Sequence, residues 1–508
     1  GTTSAITNSM ALTFVLGGDG SMEEGSFYES LVMMNSLALS VVVLIENNDG
    51  FLFRDDVVKH LELRGMVVCA GTVLQQRIEF ELKEPGVKLI LLNPDFRNYL
   101  EDITAVADRF EFLLSDFIEG YHTPTIIDAP LPVLDQLFDR PSLFSLSKAE
   151  TKKKVSDITS QIGLMDQEIK KSLLSEVDAE LQKAIIDWNL ISYKLAELIN
   201  LSFKLNRPNE IDEIISRVNE VFQEYRAQSY KQTIVSSALK HPQNVCRILE
   251  HLDFNYKDKK VALVVVDGMS IWQYRLISSA FQGSKDEMTT LSWIPSITQL
   301  SRQAIFRGDT PEYEYSQSPQ SEEKLWFNYW QNKGLLKHEI SYQYDSLDEQ
   351  MLNGVKKLAV VYKDLDSYMH GNCKDYLDLK GLTENWVKRS HIGQAVNTLL
   401  ELGFTIFLTT DHGNVEASGW RGLSAREKLG QRHKSGSRGE RHLEYSEQFL
   451  FDEFVENNPD IQKSIVREEH AIYFKDNLSF SKKNQLVTHG GAHFLEVVVP
   501  FVRITNHA

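Results

Sequence analysis

VALVVVDGMS, residues 261–270, begins as a strand and closes on a carboxylate. Six consecutive apolar residues read as a central strand of a parallel sheet, covered on both faces. Asp267 and Gly268 follow at once. A carboxylate at the carboxyl end of such a strand sits where open α/β sheets bind ligands, although Asp267 could merely cap the following helix. Three further stretches repeat the arrangement. The apolar run 404–408 leads to Thr409, Thr410, Asp411, His412 and Gly413, which adds an imidazole. KLAVVY, Lys357–Tyr362, leads into Asp364, Leu365 and Asp366, with His370 four residues after Asp366. Residues 488–491 present His489 just before an apolar strand expected over 497–499.

Three carboxylates and three histidines at four strand or loop ends form an oxygen and nitrogen ligand set that suits zinc, or manganese, in a paired-metal site. A lone histidine is usually nothing of the kind, but four such ends are hard to ascribe to helix capping or surface solvation. Two metals about 4 Å apart would polarise a phosphoryl group and stabilise both attacking and leaving oxygens. IPSITQLSRQAIFRGDTP, residues 294–311, reads as a turn entering a helix. A hydroxyl at that turn, close to the positive helix end and to a metal, would be activated to attack phosphorus. Thr298 also suits a helix cap, and the two roles are compatible. The residues alone support metal-dependent phosphoryl or sulfuryl transfer.

The rest of the chain frames this zone. Its 508 residues suggest about three domains, at roughly 150 residues each. With 42% apolar and 25% charged residues the composition is that of a folded globular protein, which excludes collagen-like, coiled-coil and disordered classes. Acidic residues outnumber basic ones 71 to 54, a net charge of -17, so the overall field repels nucleic acid and anionic lipid, and a polyanionic substrate must be held locally. Cys69, Cys246 and Cys373 form no CxxC pattern and argue for a reducing compartment. No run approaches the roughly 18 apolar residues of a membrane span, and the first residues lack a basic signal-peptide region, so the expectation is a cytoplasmic protein. Short α/β alternations are expected from 51 to 145, with a helix near 57–63 and strands at Met66–Cys69 and 88–92. Between Pro141 and Pro208 there is no proline, and apolar residues recur at helical spacing amid Lys and Glu, which predicts a helical bundle or connector.

Together VALVVVDGMS, IPSITQLSRQAIFRGDTP, LDSYMHG, LTTDHGN and THGGAHFLEVVVPF resemble, in the right order over about residues 258–503, a PglZ-domain protein of the alkaline phosphatase superfamily. The resemblance implies an α/β fold: an alkaline-phosphatase-like domain with a mixed, mostly parallel central sheet, preceded by a helical bundle and a small N-terminal α/β unit. It implies one metal held by Asp366, His370 and His489, another by Asp267, Asp411 and His412, and Thr298 as the nucleophile. DSYMH resembles the superfamily's Asp-x-x-x-His ligand pair and favours Asp366 over Asp364. Ser296 stands where many relatives carry threonine, which leaves Thr298 in register. PglZ proteins are associated with BREX-type bacteriophage defence, and a related two-component response regulator carries the same domain behind a helical bundle. The implied substrate is a phosphoester or nucleotide, nucleic acid entering only as substrate, with other phage-defence proteins as candidate partners. Arg302 and Arg441 are candidate substrate contacts, Arg441 lying in a basic stretch from Arg426 to His442 that includes Arg438.

A second resemblance concerns the N-terminus. Gly18, Asp19, Gly20, Glu24, Gly25, Phe27, Glu29, Asn47 and Asn48 are similar to the thiamine-diphosphate motif of transketolase and dehydrogenase E1 subunits. That likeness would have Asp19 and Asn47 hold magnesium on the diphosphate. Only about 50 residues match, so a fused fragment is preferred to a working thiamine-diphosphate site. The expected domains are therefore 1–50, 51–145, 146–250 and 251–508. A non-catalytic scaffold in a defence complex and a thiamine-diphosphate enzyme are the alternatives to a two-metal phosphodiesterase or phosphatase.

Overall fold

The computed structural model describes residues 41–47, 51–62, 66–82, 88–93, 100–205, 208–237, 240–429 and 440–506. The chain divides into two compact units, Gly1–Met165 and Asp166–Ala508.

In the first unit, strands β1 (Val41–Asn47), β2 (Met66–Cys69), β3 (Lys88–Asn93) and β4 (Asp108–Phe112) form a parallel sheet in the order β2-β3-β1-β4. Alternate residues serve opposite faces: Leu44, Leu89 and Leu91 join one apolar cluster, and Ile45, Ile90 and Leu92 join another. Helices α1 (Asp55–Glu62) and α2 (Val73–Leu82) lie between these strands in the chain, α1 where helical spacing put it. Asp19 and Asn48 of the thiamine-diphosphate-like motif lie outside the described residues. Asn47 ends β1.

The proline-free zone forms helices α3 (Lys148–Leu181) and α4 (Trp188–Lys204), with α5 (Asp212–Ile234) following. Leu195 and Leu198 of α4 and Val218 and Phe222 of α5 lie in the same apolar cluster as alternate residues of the central sheet, so α4 and α5 form a layer of the second unit.

That sheet holds β5 (Val261–Val266), β6 (Ser284–Leu291), β7 (Ile340–Tyr344), β8 (Lys357–Tyr362), β9 (Thr405–Thr409) and β10 (Val498–Thr505), in the order β6-β10-β9-β5-β8-β7. The four strands β9, β5, β8 and β7 are parallel; β10 runs antiparallel to both β9 and β6. The unbroken apolar reading of β5 has a direct cause. Ala262, Val264 and Val266 enter one core, while Val261, Leu263 and Val265 enter the other, so no position on this strand meets water. Between β9 and β10 the chain carries an inserted segment with two small sheets. One contains Val415–Gly419 and Leu486–Thr488; the other is built from His442–Glu444, Ile465–Glu468 and Ala471–Phe474. Among the described residues no helix is long and apolar enough to cross a membrane.

Candidate metal centre and nucleophile

Because β9, β5 and β8 are adjacent and parallel, the residues that follow them emerge at one edge of the sheet. Asp267 follows β5 directly, and Asp411 stands two residues past β9. Asp267 is not a cap: the next helix, α6 (Ile271–Ile277), starts with a Ser270–Gln273 capping box of its own. Helices α7 (Thr298–Arg307) and α8 (Pro319–Asn332) precede β8 in the chain, and helix α9 follows it. In α9 (Asp364–Asn372), Asp366 and His370 are one turn apart on one face, with His370 Nε2 3.4 Å from Asp366 Oδ1. Gly268 turns the chain at φ +72°, and a Cβ there would stand 2.9 Å from Asp366 Oδ1, so a side chain at 268 would both strain the turn and push the carboxylate aside.

The six side chains gather as two groups, Asp366 with His370 and His489, and Asp267 with Asp411 and His412, the ligand atoms within each group all lying within 4.8 Å of one another. The groups adjoin, since the His412 and His489 rings stack at 3.7 Å and His370 Nε2 lies 2.9 Å from His489 Nε2. Asp364 belongs to neither group.

Hydrogen bonds fix how each group faces the centre. His412 Nδ1 donates to the Gly413 carbonyl at 2.9 Å and His489 Nδ1 to the Ser296 carbonyl at 2.8 Å. A carbonyl only accepts, so both rings carry their proton on Nδ1 and turn the Nε2 lone pair inward. Asp411 Oδ1 accepts from the Gly268 and His412 amides, each at 3.1 Å, and Asp267 Oδ2 accepts from Arg302 at 2.7 Å. The remaining oxygens, Asp267 Oδ1 and Asp411 Oδ2, are buried with no hydrogen-bond partner, and so is Asp366 Oδ1.

Three buried carboxyls with orphaned oxygens are costly unless protons or cations meet them. Burial, with the charges of Asp411 and Asp366, pushes the Asp267 carboxyl well above its ordinary range, and burial raises Asp411 to about 6. Burial would raise Asp366 as well, but His370, with His489 and His412 beside it, outweighs burial and holds that carboxyl well below the usual range. Burial and the neighbouring His412 push His489 well down, keeping it neutral. Carboxylate oxygens buried without a partner, beside imidazole Nε2 atoms turned to the same centre, fit a divalent metal in each group.

Thr298 is the first residue of α7, and Ile297, not Thr298, stands at the cap position. The threonine hydroxyl instead lies 3.0 Å from His412 Nε2, at the edge of the Asp267 group.

The family model for the BREX system PglZ alkaline phosphatase-like domain matches residues 248–504, half of the chain. The chain belongs to the PglZ family. The resemblance read from residues 258–503 is thereby borne out, as is the mixed α/β fold it implied. Among solved structures, murine ectonucleotide pyrophosphatase/phosphodiesterase 5 matches at 12% identity and a TM-score of 0.35, over 49% of this chain and 88% of that one. Phosphonoacetate hydrolase from Sinorhizobium meliloti 1021, in complex with phosphonoformate, matches at 12% identity and a TM-score of 0.30, over 49% and 90%. No curated protein matches.

Within the PglZ domain the two arginines expected to meet substrate are engaged inside the protein. Arg302, 3% exposed and one turn beyond Thr298, bridges Asp267 and Glu322, the latter at 2.9 Å on α8. Arg441 is fully buried against Glu496 at 3.0 Å. Of the same basic stretch, Arg438 lies outside the described residues, and His442 enters a strand of the inserted segment. Glu322 and Glu496 went unread in the sequence. Glu322 sits among polar residues of PQSEEK and gave no signal, whereas Glu496 interrupts the apolar run FLEVVVPF, and a lone acid there does announce a buried partner.

Proposed function

We propose that this PglZ domain is a metal-dependent phosphoryl-transfer hydrolase, a phosphodiesterase or phosphatase, with Thr298 as nucleophile, acting with other proteins of a BREX-type phage-defence system in the cytoplasm. The observation that carries the chemistry is the set of three orphaned, buried carboxylate oxygens facing inward beside a threonine hydroxyl. The family's own description supplies the defence system.

Asp366, His370 and His489 would hold one divalent metal, zinc or manganese, and Asp267, Asp411 and His412 the other. Bound there, the pair would polarise the phosphoryl group, lower the pKa of the threonine hydroxyl and offset charge on the entering and leaving oxygens. The chain's own groups do the rest. The amides at the start of α7 favour an anionic phosphoryl group next to Thr298. Arg302 fixes Asp267 through the oxygen that does not face the centre. Thr298 Oγ1 gives up its proton to water and attacks phosphorus, and the bond to the leaving oxygen breaks. Water then hydrolyses the threonine phosphoester, restoring the hydroxyl and releasing phosphate or a phosphomonoester.

Purified protein should hold near two zinc or manganese ions, and chelation should abolish hydrolysis of an activated phosphodiester. Thr298→Ala should lower that hydrolysis about 10³-fold or more with both metals retained. Wild-type hydrolysis by this variant would overturn the nucleophile assignment.

A further inference from the structure

Arg441 and Glu496 are both 0% exposed, and no step above uses them. Their bonding exceeds what a helix start needs. Glu496 lies in the short helix α10 (Phe494–Val497), where one carboxylate bond, from the His493 amide at 2.8 Å, completes a capping box. The other acceptor sites reach outward. Glu496 Oε2 accepts the Ser296 hydroxyl at 2.9 Å and the Gly491 amide at 3.0 Å, and Oε1 accepts Arg441 Nη2 at 3.0 Å. Arg441 also donates to the carbonyls of Asp476 and Leu478 in the inserted segment.

Ser296 closes the arrangement from the other side. Its hydroxyl accepts the Gly490 amide at 3.0 Å, its amide donates to the Gly491 carbonyl at 3.0 Å, and its carbonyl receives the His489 Nδ1 proton. Thr298 is two residues further on. Gly491 permits the close approach: a Cβ there would stand 2.2 Å from the Phe474 carbonyl, 2.7 Å from Glu496 Oε1 and 2.8 Å from Arg441 Nη2. Two buried charges with all-round hydrogen bonds thus tie together the turn before the nucleophile, the loop that carries His489 and the inserted segment. A buried ion pair adds little net stability, and positional specificity is the better reason to retain one.

We infer that the Arg441–Glu496 pair is a positioning clamp that locks the Ser296 turn to the His489 loop and so sets where the His489 ring and the Thr298 hydroxyl stand. The inference rests on the hydrolase reading for the roles of those two groups. It gives the Arg441 and Glu496 side chains no contact with substrate; they act through Ser296 and the His489 loop.

Ser296→Ala deletes one hydroxyl and keeps the ion pair, so the test does not depend on a variant with an unpaired buried charge; Glu496→Gln and Ser296→Thr accompany it. In metal-free protein, hydrogen exchange of the peptide 489–493 should quicken about 10-fold or more in Ser296→Ala and Glu496→Gln, with exchange elsewhere in the second unit unchanged. In titrations with Zn²⁺ alone, one of two zinc equivalents should bind about 10-fold or more weakly in both variants while the other holds, and Ser296→Thr should restore it. Unchanged exchange would refute the clamp. Faster exchange with both zinc affinities intact would reduce it to scaffolding and refute the positioning role. If wild-type protein takes up neither zinc nor manganese, the hydrolase reading fails, and the exchange result judges the clamp by itself.

Discussion

At Asp411 the site's function and the fold's stability pull in opposite directions. Its Oδ1 accepts two backbone amides while Oδ2 is buried without a partner, and burial raises the carboxyl to about 6 from an ordinary 3.8. A carboxyl raised on folding binds its proton more tightly in the native state. Its contribution to stability is therefore complete below about pH 4 and is lost as the pH rises through about 6. Asn at 411 keeps an acceptor for both amides and cannot ionise. In chelated protein, the stability of Asp411→Asn relative to wild type should rise by up to ~3 kcal/mol between about pH 4 and pH 7, read from denaturant unfolding at each pH. In zinc the sign reverses, because the metal needs the carboxylate that the variant lacks. A pH-independent difference in chelator would mean that Asp411 titrates normally. A difference that grows with pH instead marks the metal-binding geometry as a cost that the bare protein carries at neutral pH.

At the scale of elements, what could be read in the sequence depended on whether burial left a local signature. β5, β8 and β9 were legible because each is buried in the sheet and so reads as an apolar run, and the Asp or His residues at their ends stood out against it. The strands of the inserted segment, two to five residues long, are too short for their composition to set them apart from loop. The roles of Arg302 and Arg441 were illegible for another reason. Their partners Asp267 and Glu496 lie 35 and 55 residues away, and an arginine in a basic stretch looks alike whether it meets a phosphate or a buried glutamate. Arg302 is the joint between α7 and α8: it reaches from the nucleophile's helix to Glu322, whose carboxylate also accepts the Tyr342 hydroxyl from β7 at 2.7 Å. Removing the guanidinium leaves Glu322, 1% exposed, as a buried charge without its partner. Arg302→Met should destabilise the second unit by ~3 kcal/mol or more, and Arg302→Met with Glu322→Leu should recover much of the loss, since an apolar pair can replace a buried ionic one. A single variant as stable as wild type would show that Arg302 binds nothing of consequence inside the protein and would return it to the list of substrate contacts.

For the whole molecule, the governing quantity is the net charge of -17. Proteins that gather nucleic acid through basic surfaces bind more weakly as salt rises, because each neutralised phosphate releases counterions. The opposite sign is expected here. An anionic substrate approaches against the field of an acidic protein, and salt, with a screening length of about 10 Å at 0.1 M, removes that penalty. The size of the effect should follow the charge of the substrate and not the chemistry at phosphorus. Thus kcat/KM for a short oligonucleotide should rise several-fold from ~20 mM to ~300 mM NaCl, while that for a singly charged diester stays nearly level. The singly charged diester is the control, since any effect of salt on metal binding or on Thr298 would appear with it too. A fall in kcat/KM for the oligonucleotide alone would mean that a local basic path, of which the stretch 426–442 is the candidate in the sequence, outweighs the field of the whole chain.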